Sequence, residues 1–277
     1  MEPQTLELAL DGRVLHVRLN RPDVHNAFDS TLISELTAVF LALPDMAGPR
    51  VAVLSGLGKS FCAGADINMM RRAAELNESE NKVDALTLAH LFHAINNCPL
   101  PVVARVHGAA LGGGMGLLAC CDFVIAEAAA VFGFTEVKLG ILPAVISPFV
   151  VAKIGASAAR AHFTTGARFG AGEALRIGLI HRVVPDAGAL DAAVAAVTGE
   201  YLTAAPGAVA AAKQLVHELD VPNRTGSDDV LDLTTDRIAA RRVSDEGQEG
   251  LRAFLERRKP SWHPEAADSG GAGGGDA

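Results

Sequence analysis

Two segments of this chain repeat one order of elements: a short apolar strand, a glycine-rich loop and the start of a helix. They cover residues 50–67 and 101–118. Strands that alternate with helices build α/β sheets, and loops held on such a scaffold commonly carry binding and catalytic groups. The repeated pattern therefore predicts an α/β body whose chemistry lies at the two glycine-rich loops.

The apolar pattern elsewhere extends this prediction along the chain. Asp11-Gly12 between two alternating stretches is typical of a β-hairpin. Helical spacing predicts a helix over residues 31–42, capped by Asp29 or Ser30. Three further expectations concern the limits of elements: a mostly helical stretch over residues 70–95, a glycine loop over residues 108–116 and a last strand over residues 179–184.

The order of elements also predicts how the chain is divided. Strands alternate with helices until about residue 190, and helices alone follow. We therefore predict an α/β core over residues 1–190 and a helical section over residues 191–263. Residues 264–277 are rich in glycine and lack an apolar anchor, which predicts a disordered tail.

Composition narrows the class of protein and its partners. The chain has 277 residues and a formal net charge of -8, which argues against a general nucleic-acid binder because such proteins need a basic face. The N-terminal stretch carries charges and does not resemble a secretion signal, and no apolar run approaches the roughly 20 residues that span a bilayer. We therefore expect a cytoplasmic protein with no membrane partner.

Neither the cysteines nor the histidines have the spacing of a metal site. We therefore expect no metal, and reduced, buried thiols at all cysteine positions, which are Cys62, Cys98, Cys120 and Cys121.

The glycine loops do not match three familiar motifs. GLGKS at residues 56–60 lacks the upstream glycine of a phosphate-binding loop, because Val53 occupies that position. GMGLLA at residues 114–119 has the form of a dinucleotide motif, but residues 107–113 separate it from the preceding strand. No GxSxG pentapeptide occurs, so a serine-nucleophile mechanism has no anchor.

What remains is a chemical role for the glycine backbone itself. Glycine lets the main chain approach a ligand closely, and N–H groups from two loops can stabilise one developing oxyanion. Helices that begin just after both loops would add their positive N-terminal ends. From the pattern alone, an oxyanion hole and a pair of tight turns both remain open.

At these residues the sequence resembles the enoyl-CoA hydratase/isomerase (crotonase) superfamily. The matching segments occur in register from about residue 6 to residue 262, and any one of them alone would be weak. They are NRP and HNA within residues 20–27, FCAGADI at residues 61–67, HGAALGGG at residues 107–114, CD at residues 121–122 with VFGFTE at residues 131–136 and LGILP at residues 139–143, and EG with FLERRK within residues 249–259.

The resemblance implies a fold, a substrate and a set of site residues. It implies a spiral of ββα units with a helical C-terminal trimerisation section, and homotrimers that often pair into hexamers. The substrate would be an acyl-CoA thioester, with no cofactor beyond the coenzyme A of the substrate. Family positions for the oxyanion-hole amides fall on Ala65 and Gly113, and positions for contacts to CoA fall on Val24, Ala27, Ala63, Asp66, Ile67, Phe254 and Arg257.

Glu136 is the candidate acid/base residue, because it follows a short apolar strand in the third matching segment. Partial burial there would raise its pKa toward neutrality and suit it to moving protons. The alternative is an exposed glutamate at the start of a helix. With the family resemblance, we predict a lyase that hydrates 2-enoyl-CoA. An isomerase and a non-catalytic acyl-CoA-binding homologue are the alternatives.

One departure from the family concerns Gly116. Typical enoyl-CoA hydratases have a second glutamate at this position, so water activation by two carboxylates is in doubt. Residues 112–117 and 134–148 are similar to bacterial methylglutaconyl-CoA hydratase-like members. We therefore expect a branched or carboxylated acyl chain that occupies the space left by the missing glutamate. His107 and Asp122 are expected to be structural hydrogen-bonding residues.

Overall fold

The computed structural model describes residues 3–220 and 227–266. Its strands are β1 (Leu6–Asp11), β2 (Val14–Leu19), β3 (Val51–Gly56), β4 (Val102–Val106), β5 (Ala109–Leu111), β6 (Phe123–Glu127), β7 (Val131–Gly133), β8 (Arg168–Gly170) and β9 (Arg182–Val184). Its α-helices are α1 (Ser30–Ala42), α2 (Ile67–Glu75), α3 (Glu78–Asn96), α4 (Gly113–Cys120), α5 (Ser147–Thr165), α6 (Ala171–Arg176), α7 (Ala187–Thr203), α8 (Pro206–Leu219), α9 (Asp228–Val243) and α10 (Asp245–Leu255).

A six-stranded sheet in the order β1-β2-β3-β4-β6-β9 forms the centre of the α/β body. The strands β1 and β2 form the predicted antiparallel hairpin around Gly12, and each later neighbour in the sheet pairs in parallel. Parallel strands need helical crossovers that cover the faces of the sheet. In agreement, β3 is buried along its whole length.

The strands β5, β7 and β8 form a second, separate sheet in the order β5-β7-β8. Two isolated bridges extend its pairing toward the first glycine loop, because Cys62 pairs with Ala110 and Phe28 pairs with Ala65. Both glycine loops therefore belong to this smaller layer, where short extended segments replace long strands.

Helix α1 shows how the sequence pattern produces this packing. Its buried side chains are Leu32, Ile33, Leu36 and Phe40, which form one face at helical spacing. The side chain of Asp29 accepts the N–H of Leu32, so Asp29 and not Ser30 is the N-cap. One face of α1 thus joins the hydrophobic core.

Three predicted limits were wrong. The glycine loop ends before Gly116, because α4 begins at Gly113. The stretch over residues 70–95 forms two helices, since Asn77 starts α3 with a reciprocal capping box. Leu179 precedes the last strand instead of joining it, because its N–H donates to Ala174 O (3.0 Å) in the turn after α6.

The chain separates into two compact units, residues 1–197 and residues 198 onward. The second unit contains α8, α9 and α10. Within it, the carboxylate of Glu246 accepts the N–H groups of Gly207 and Ala208 at the start of α8. The predicted tail over residues 264–277 falls mostly outside the described part of the chain, which ends with a 3-10 turn at Pro264–Ala266. No helix in residues 3–220 and 227–266 has the length and apolarity needed to cross a bilayer.

Candidate active site

The two glycine loops lie side by side and are joined by backbone hydrogen bonds. The N–H of Cys62 donates to Ala109 O (3.0 Å), and the N–H of Leu111 donates to Cys62 O (2.9 Å). His107 contributes a further link, since its Nε2 lies 2.9 Å from Gly58 O. This contact confirms that His107 is a structural hydrogen-bonding residue.

Close approach of the loops explains why glycine is required at their tips. Gly64 and Gly112 have φ angles of +93° and +50°, a region that disfavours residues with a Cβ. A Cβ atom on Gly64 would also lie 3.0 Å from Leu111 O and 3.6 Å from Gly113 N. The tips of the two loops therefore meet backbone to backbone.

Two N–H groups at this junction donate no hydrogen bond within the described residues. They belong to Ala65 and Gly113. Phe28 holds the backbone on both sides of Ala65, because its N–H donates to Gly64 O (2.7 Å) and its carbonyl accepts the N–H of Asp66 (2.9 Å). Gly113 is the first residue of α4, so its N–H lies at the positive end of that helix.

Glu136 lies at the same junction. It begins a short 3-10 helix three residues after the end of β7, and a Cβ atom on Gly112 would lie 3.6 Å from its Oε1. Its Oε2 is buried and accepts no hydrogen bond among the described residues. Burial raises the pKa of this carboxyl above its ordinary value, and a backbone hydrogen bond partly opposes the rise. The predicted partial burial and direction of the pKa shift are confirmed.

These groups line one open cleft of about 200 Å³. Apart from Thr135 and the glycines, the other side chains of its wall are apolar, and Glu136 is its single ionisable side chain among the described residues. The lining residues are Phe28, Ala63, Gly64, Ala65, Met69, Met70, Leu88, Gly112, Gly113, Thr135, Glu136, Leu139, Ile141, Leu142, Pro143, Ala144, Val145 and Ile146.

Arg21 fixes the segment that leads into Phe28. One of its guanidinium nitrogens lies 3.0 Å from carboxylate oxygens of both Asp29 and Asp66, and another donates to Ala27 O. Asp66 also accepts the N–H of Asn68 at the start of α2. Hydrogen bonds to Asn68 and Arg21 lower the pKa of the Asp66 carboxyl, which keeps this N-cap charged.

The predicted CoA contacts are distributed around this arrangement. Ala63 lines the cleft, whereas Ala27 and Asp66 are buried beside it, and Val24 and Ile67 are exposed. Phe254 and Arg257 belong to the second unit. There Phe254 is 82% exposed and Arg257 has a φ angle of +55°. Their contacts to CoA stay predictions.

The expectation about Gly116 was wrong. A Cβ atom on Gly116 would lie 2.4 Å from Cγ2 of Ile146 and 2.8 Å from two ring carbons of Phe92. The space that a second glutamate would need is therefore filled by apolar side chains. No acyl group can occupy it without moving the core.

The cleft wall over residues 139–146 was not predicted from the sequence. Four of its residues are large and apolar: Leu139, Ile141, Leu142 and Ile146. The available signal was an apolar run interrupted by glycine and proline directly after the candidate acid/base residue, which fits neither a helix nor a strand.

Other expectations concern groups outside the cleft. All four cysteines are buried, and none forms a disulfide. Burial raises the pKa of the Cys62 thiol to about 12. Asp122 accepts the N–H of Val102 (2.7 Å), which confirms its structural role. A search of the described residues finds no group of three or more His, Cys, Asp or Glu side chains that could hold a metal ion.

Comparison with known proteins gives consistent matches along the chain. Residues 10–265 match the family model described as enoyl-CoA hydratase/isomerase. A short-chain-enoyl-CoA hydratase of Clostridium acetobutylicum is 31% identical over 264 residues, which are 94% of this chain and 97% of the relative.

Solved structures show the same likeness. A crystal structure of an enoyl-CoA hydratase from Shewanella pealeana has 41% identity and a TM-score of 0.90, and the match covers 94% of this chain and 97% of that chain. An enoyl-CoA hydratase from Mycobacterium smegmatis has 30% identity and a TM-score of 0.85, with 93% and 98% coverage. These likenesses confirm the predicted crotonase-like α/β fold.

Proposed function

The chain belongs to the enoyl-CoA hydratase/isomerase family, and on that premise we propose that it hydrates 2-enoyl-CoA thioesters and catalyses the reverse dehydration. One observation carries this proposal. The unpaired N–H groups of Ala65 and Gly113 and the buried carboxylate of Glu136 line the same apolar cleft. That is the combination that an enolate intermediate requires.

The N–H groups act on the thioester carbonyl. When water adds to C3 of a conjugated thioester, the π electrons move toward the carbonyl and its oxygen gains negative charge. Ala65 and Gly113 donate hydrogen bonds to this oxygen, and such donors are worth more in a site from which water is excluded. Because both donors are main-chain groups held by neighbouring residues, they need little rearrangement during the reaction.

Glu136 moves the proton. Its carboxylate takes a proton from the water while the C3–O bond forms, and it then gives a proton to C2 as the enolate collapses. The product is a 3-hydroxyacyl-CoA, and Glu136 returns to its starting charge. Burial raises the pKa of Glu136, which makes the carboxylate a better proton acceptor. The shift also moves the pKa toward neutral pH, where the same group can both take up and return a proton.

Two other functions receive less support. An isomerase would use the same donors and one glutamate, but the relatives described above are named hydratases. A non-catalytic binder gains nothing from a carboxylate oxygen that is buried without a hydrogen bond, because an unsatisfied buried acceptor costs stability.

The lining of the cleft favours binding of an uncharged acyl chain. Its described lining contains no lysine, arginine or histidine, so a carboxylated chain would lie near Glu136 without a countercharge. The expected methylglutaconyl-like substrate would therefore find neither a countercharge in the described lining nor free space beside Gly116. An uncharged, short acyl group is also consistent with the name of the Clostridium relative.

Binding of CoA and assembly complete the proposal. Val24, Ala27, Ala63, Asp66 and Ile67 would hold the CoA moiety near the cleft, with Phe254 and Arg257 as further contacts. The second unit would form a homotrimer or a hexamer. Its support is the set of exposed apolar side chains on α8, α9 and α10, which are Val216, Leu219, Leu231, Ile238, Val243, Leu251, Phe254 and Leu255.

Loss of the conjugated thioester absorbance with crotonyl-CoA tests the function directly. We expect turnover with formation of 3-hydroxybutyryl-CoA, identified by mass. No hydration of crotonyl-CoA or longer uncharged 2-enoyl thioesters, together with migration of the double bond in a 3-enoyl thioester, would replace this proposal with the isomerase.

A further inference from the structure

Ile146 is a buried residue that lines the cleft, on the wall segment that begins at the exposed residue Leu139. Resting on the function proposed above, we propose that Ile146 limits the length of the acyl chain and so makes short, uncharged thioesters the preferred substrates. The residue would act on specificity and not on the proton transfers.

Exposure along one wall of the cleft indicates where the acyl chain ends. Leu139, Ile141 and Leu142 are 60%, 57% and 69% exposed, whereas Ile146 on the same segment is 3% exposed. The wall therefore runs from an open rim to a buried end. An acyl chain that enters past the rim meets Ile146 last.

Ile146 and Phe92 both pack against α4 at Gly116, beside this inner end of the cleft. The Cγ2 of Ile146 lies 2.4 Å from the position that a Cβ on Gly116 would take, and the ring of Phe92 lies 2.8 Å from the same position. Because Gly116 has no side chain, removing Cγ2 would open the cleft toward the surface of the helix. Ile146 thus fills a space that glycine leaves.

The position of Ile146 is fixed from several sides. Its carbonyl accepts the N–H of Val150 (3.0 Å) as α5 begins, and a β-branched side chain has few χ1 rotamers. Behind it, Phe92 is held between Phe28 and Phe149, with ring centroids 6.3 Å and 6.1 Å away. A longer acyl chain therefore cannot push the end wall aside at low cost.

Two substitutions of Ile146 distinguish the effect of its Cγ2 methyl group on chain length from a general loss of packing. Ile146→Ala removes Cγ2 and opens the end of the cleft, whereas Ile146→Val retains a methyl group at that place. We expect about a fourfold gain in affinity for each methylene that enters the new space of the alanine variant. The valine variant should behave like wild type.

Matched controls come from the same structure. Val150→Ala removes buried carbons one turn further along α5 without touching the cleft, so it should lower stability without changing the preference for chain length. Adding Gly116→Ala to Ile146→Ala places a methyl group 2.4 Å from the vacated Cγ2 position and 2.8 Å from two ring carbons of Phe92, so that ring must shift toward the vacated space. This double variant should return the length preference toward wild type.

The first measurement needs no turnover. Calorimetric titration with butyryl-, hexanoyl- and octanoyl-CoA gives affinity as a function of chain length for each variant. We expect wild-type affinity to stop rising with length and the Ile146→Ala affinity to continue rising. Equal length dependence in both proteins would overturn the proposal, whether or not the protein is a hydratase.

The second measurement is the ratio of kcat/KM for 2-octenoyl-CoA and crotonyl-CoA. An increase in this ratio for Ile146→Ala, absent in Ile146→Val and Val150→Ala, supports the role of Ile146. If Ile146→Ala does not fold, Ile146→Met removes the same branch while keeping volume, and an unchanged length dependence in that variant overturns the proposal. Failure of wild type to hydrate any 2-enoyl thioester refutes the proposed function, while the calorimetric series still decides the role of Ile146.

Discussion

The carboxylate of Glu136 lies against Gly112, the residue that directly precedes the proposed oxyanion donor Gly113. A Cβ atom on Gly112 would lie 3.6 Å from Oε1 of Glu136. A substrate whose thioester oxygen is bound by Gly113 N–H is thereby placed within reach of the carboxylate. Because Gly112 and Gly113 are consecutive residues, the carboxylate of Glu136 beside Gly112 and the N–H of Gly113 are held close to each other.

The first prediction concerns proton transfer. Glu136→Gln keeps the shape of the side chain but cannot accept a proton, so kcat should fall about a hundredfold to ten-thousandfold. Affinity for a saturated acyl-CoA should change little. Steady-state kinetics and calorimetry measure the two effects, and Glu75→Gln, an exposed glutamate at the end of α2, is the matched control. Near-normal turnover of Glu136→Gln would remove this residue from the mechanism.

The second prediction isolates the N–H of Gly113. Proline is compatible with the first position of a helix, so Gly113→Pro should fold and lose one oxyanion donor, at a cost of roughly 3 to 4 kcal/mol in transition-state stabilisation.

Gly113→Ala is the necessary control for that variant. It retains the N–H but places a Cβ 2.7 Å from Cε2 of Phe28, as proline also does. The difference in kcat between the two variants therefore reports the donor alone. If alanine and proline reduce kcat equally, with circular dichroism showing both folded, the oxyanion hole lies elsewhere.

The third prediction concerns the position of the missing glutamate. Gly116→Glu would force a carboxylate against Ile146 and Phe92. We expect a loss of about 3 kcal/mol or more in the free energy of unfolding, through overpacking and burial of a charge. Hydration of crotonyl-CoA should not improve. Urea denaturation and kcat/KM measure both effects, and a stable variant with faster hydration would show that the space is available.

The fourth prediction follows from the raised pKa of Glu136. Below the unfolded-state pKa of about 4.3, both states are protonated and burial carries no ionic cost. As pH rises toward the higher pKa of the folded state, the unfolded state ionises first. Wild type should therefore lose stability relative to Glu136→Gln, until the folded state also ionises.

Urea denaturation of both proteins across this pH range measures the difference. The free energy of unfolding of wild type minus that of Glu136→Gln should fall with rising pH and then level off. A difference that grows in favour of wild type as pH rises would mean that the pKa of Glu136 is lowered instead.

The fifth prediction concerns assembly. The exposed apolar side chains of the second unit should be covered by copies of the same chain, which gives a trimer or a hexamer in solution. Light scattering at micromolar concentration measures the mass. A monomer would contradict this prediction and would leave the apolar surface of α8, α9 and α10 without an explanation.

The sequence by itself determined the parts of this protein that depend on local chemistry. Apolar runs and turn residues predicted the hairpin, the parallel strands and α1, because burial and backbone preferences act over a few neighbouring residues. The resemblance to the family placed the main-chain donors on Ala65 and Gly113, because the glycine pattern alone left an oxyanion hole and a pair of tight turns both open. Glu136 could be proposed because it follows a short apolar strand within a segment that resembles the family.

Only the tertiary structure decided what surrounds those groups. Gly116 in the sequence indicates a missing side chain, but Phe92 and Ile146, which lie 24 residues before and 30 residues after it, decide that the space is full. The cleft wall over residues 139–146 likewise has no periodic pattern, because the chain passes through turns and irregular backbone from exposed residues 139–142 to the buried Ile146. Which atoms fill a given space depends on segments that are distant in sequence, and packing alone brings them together.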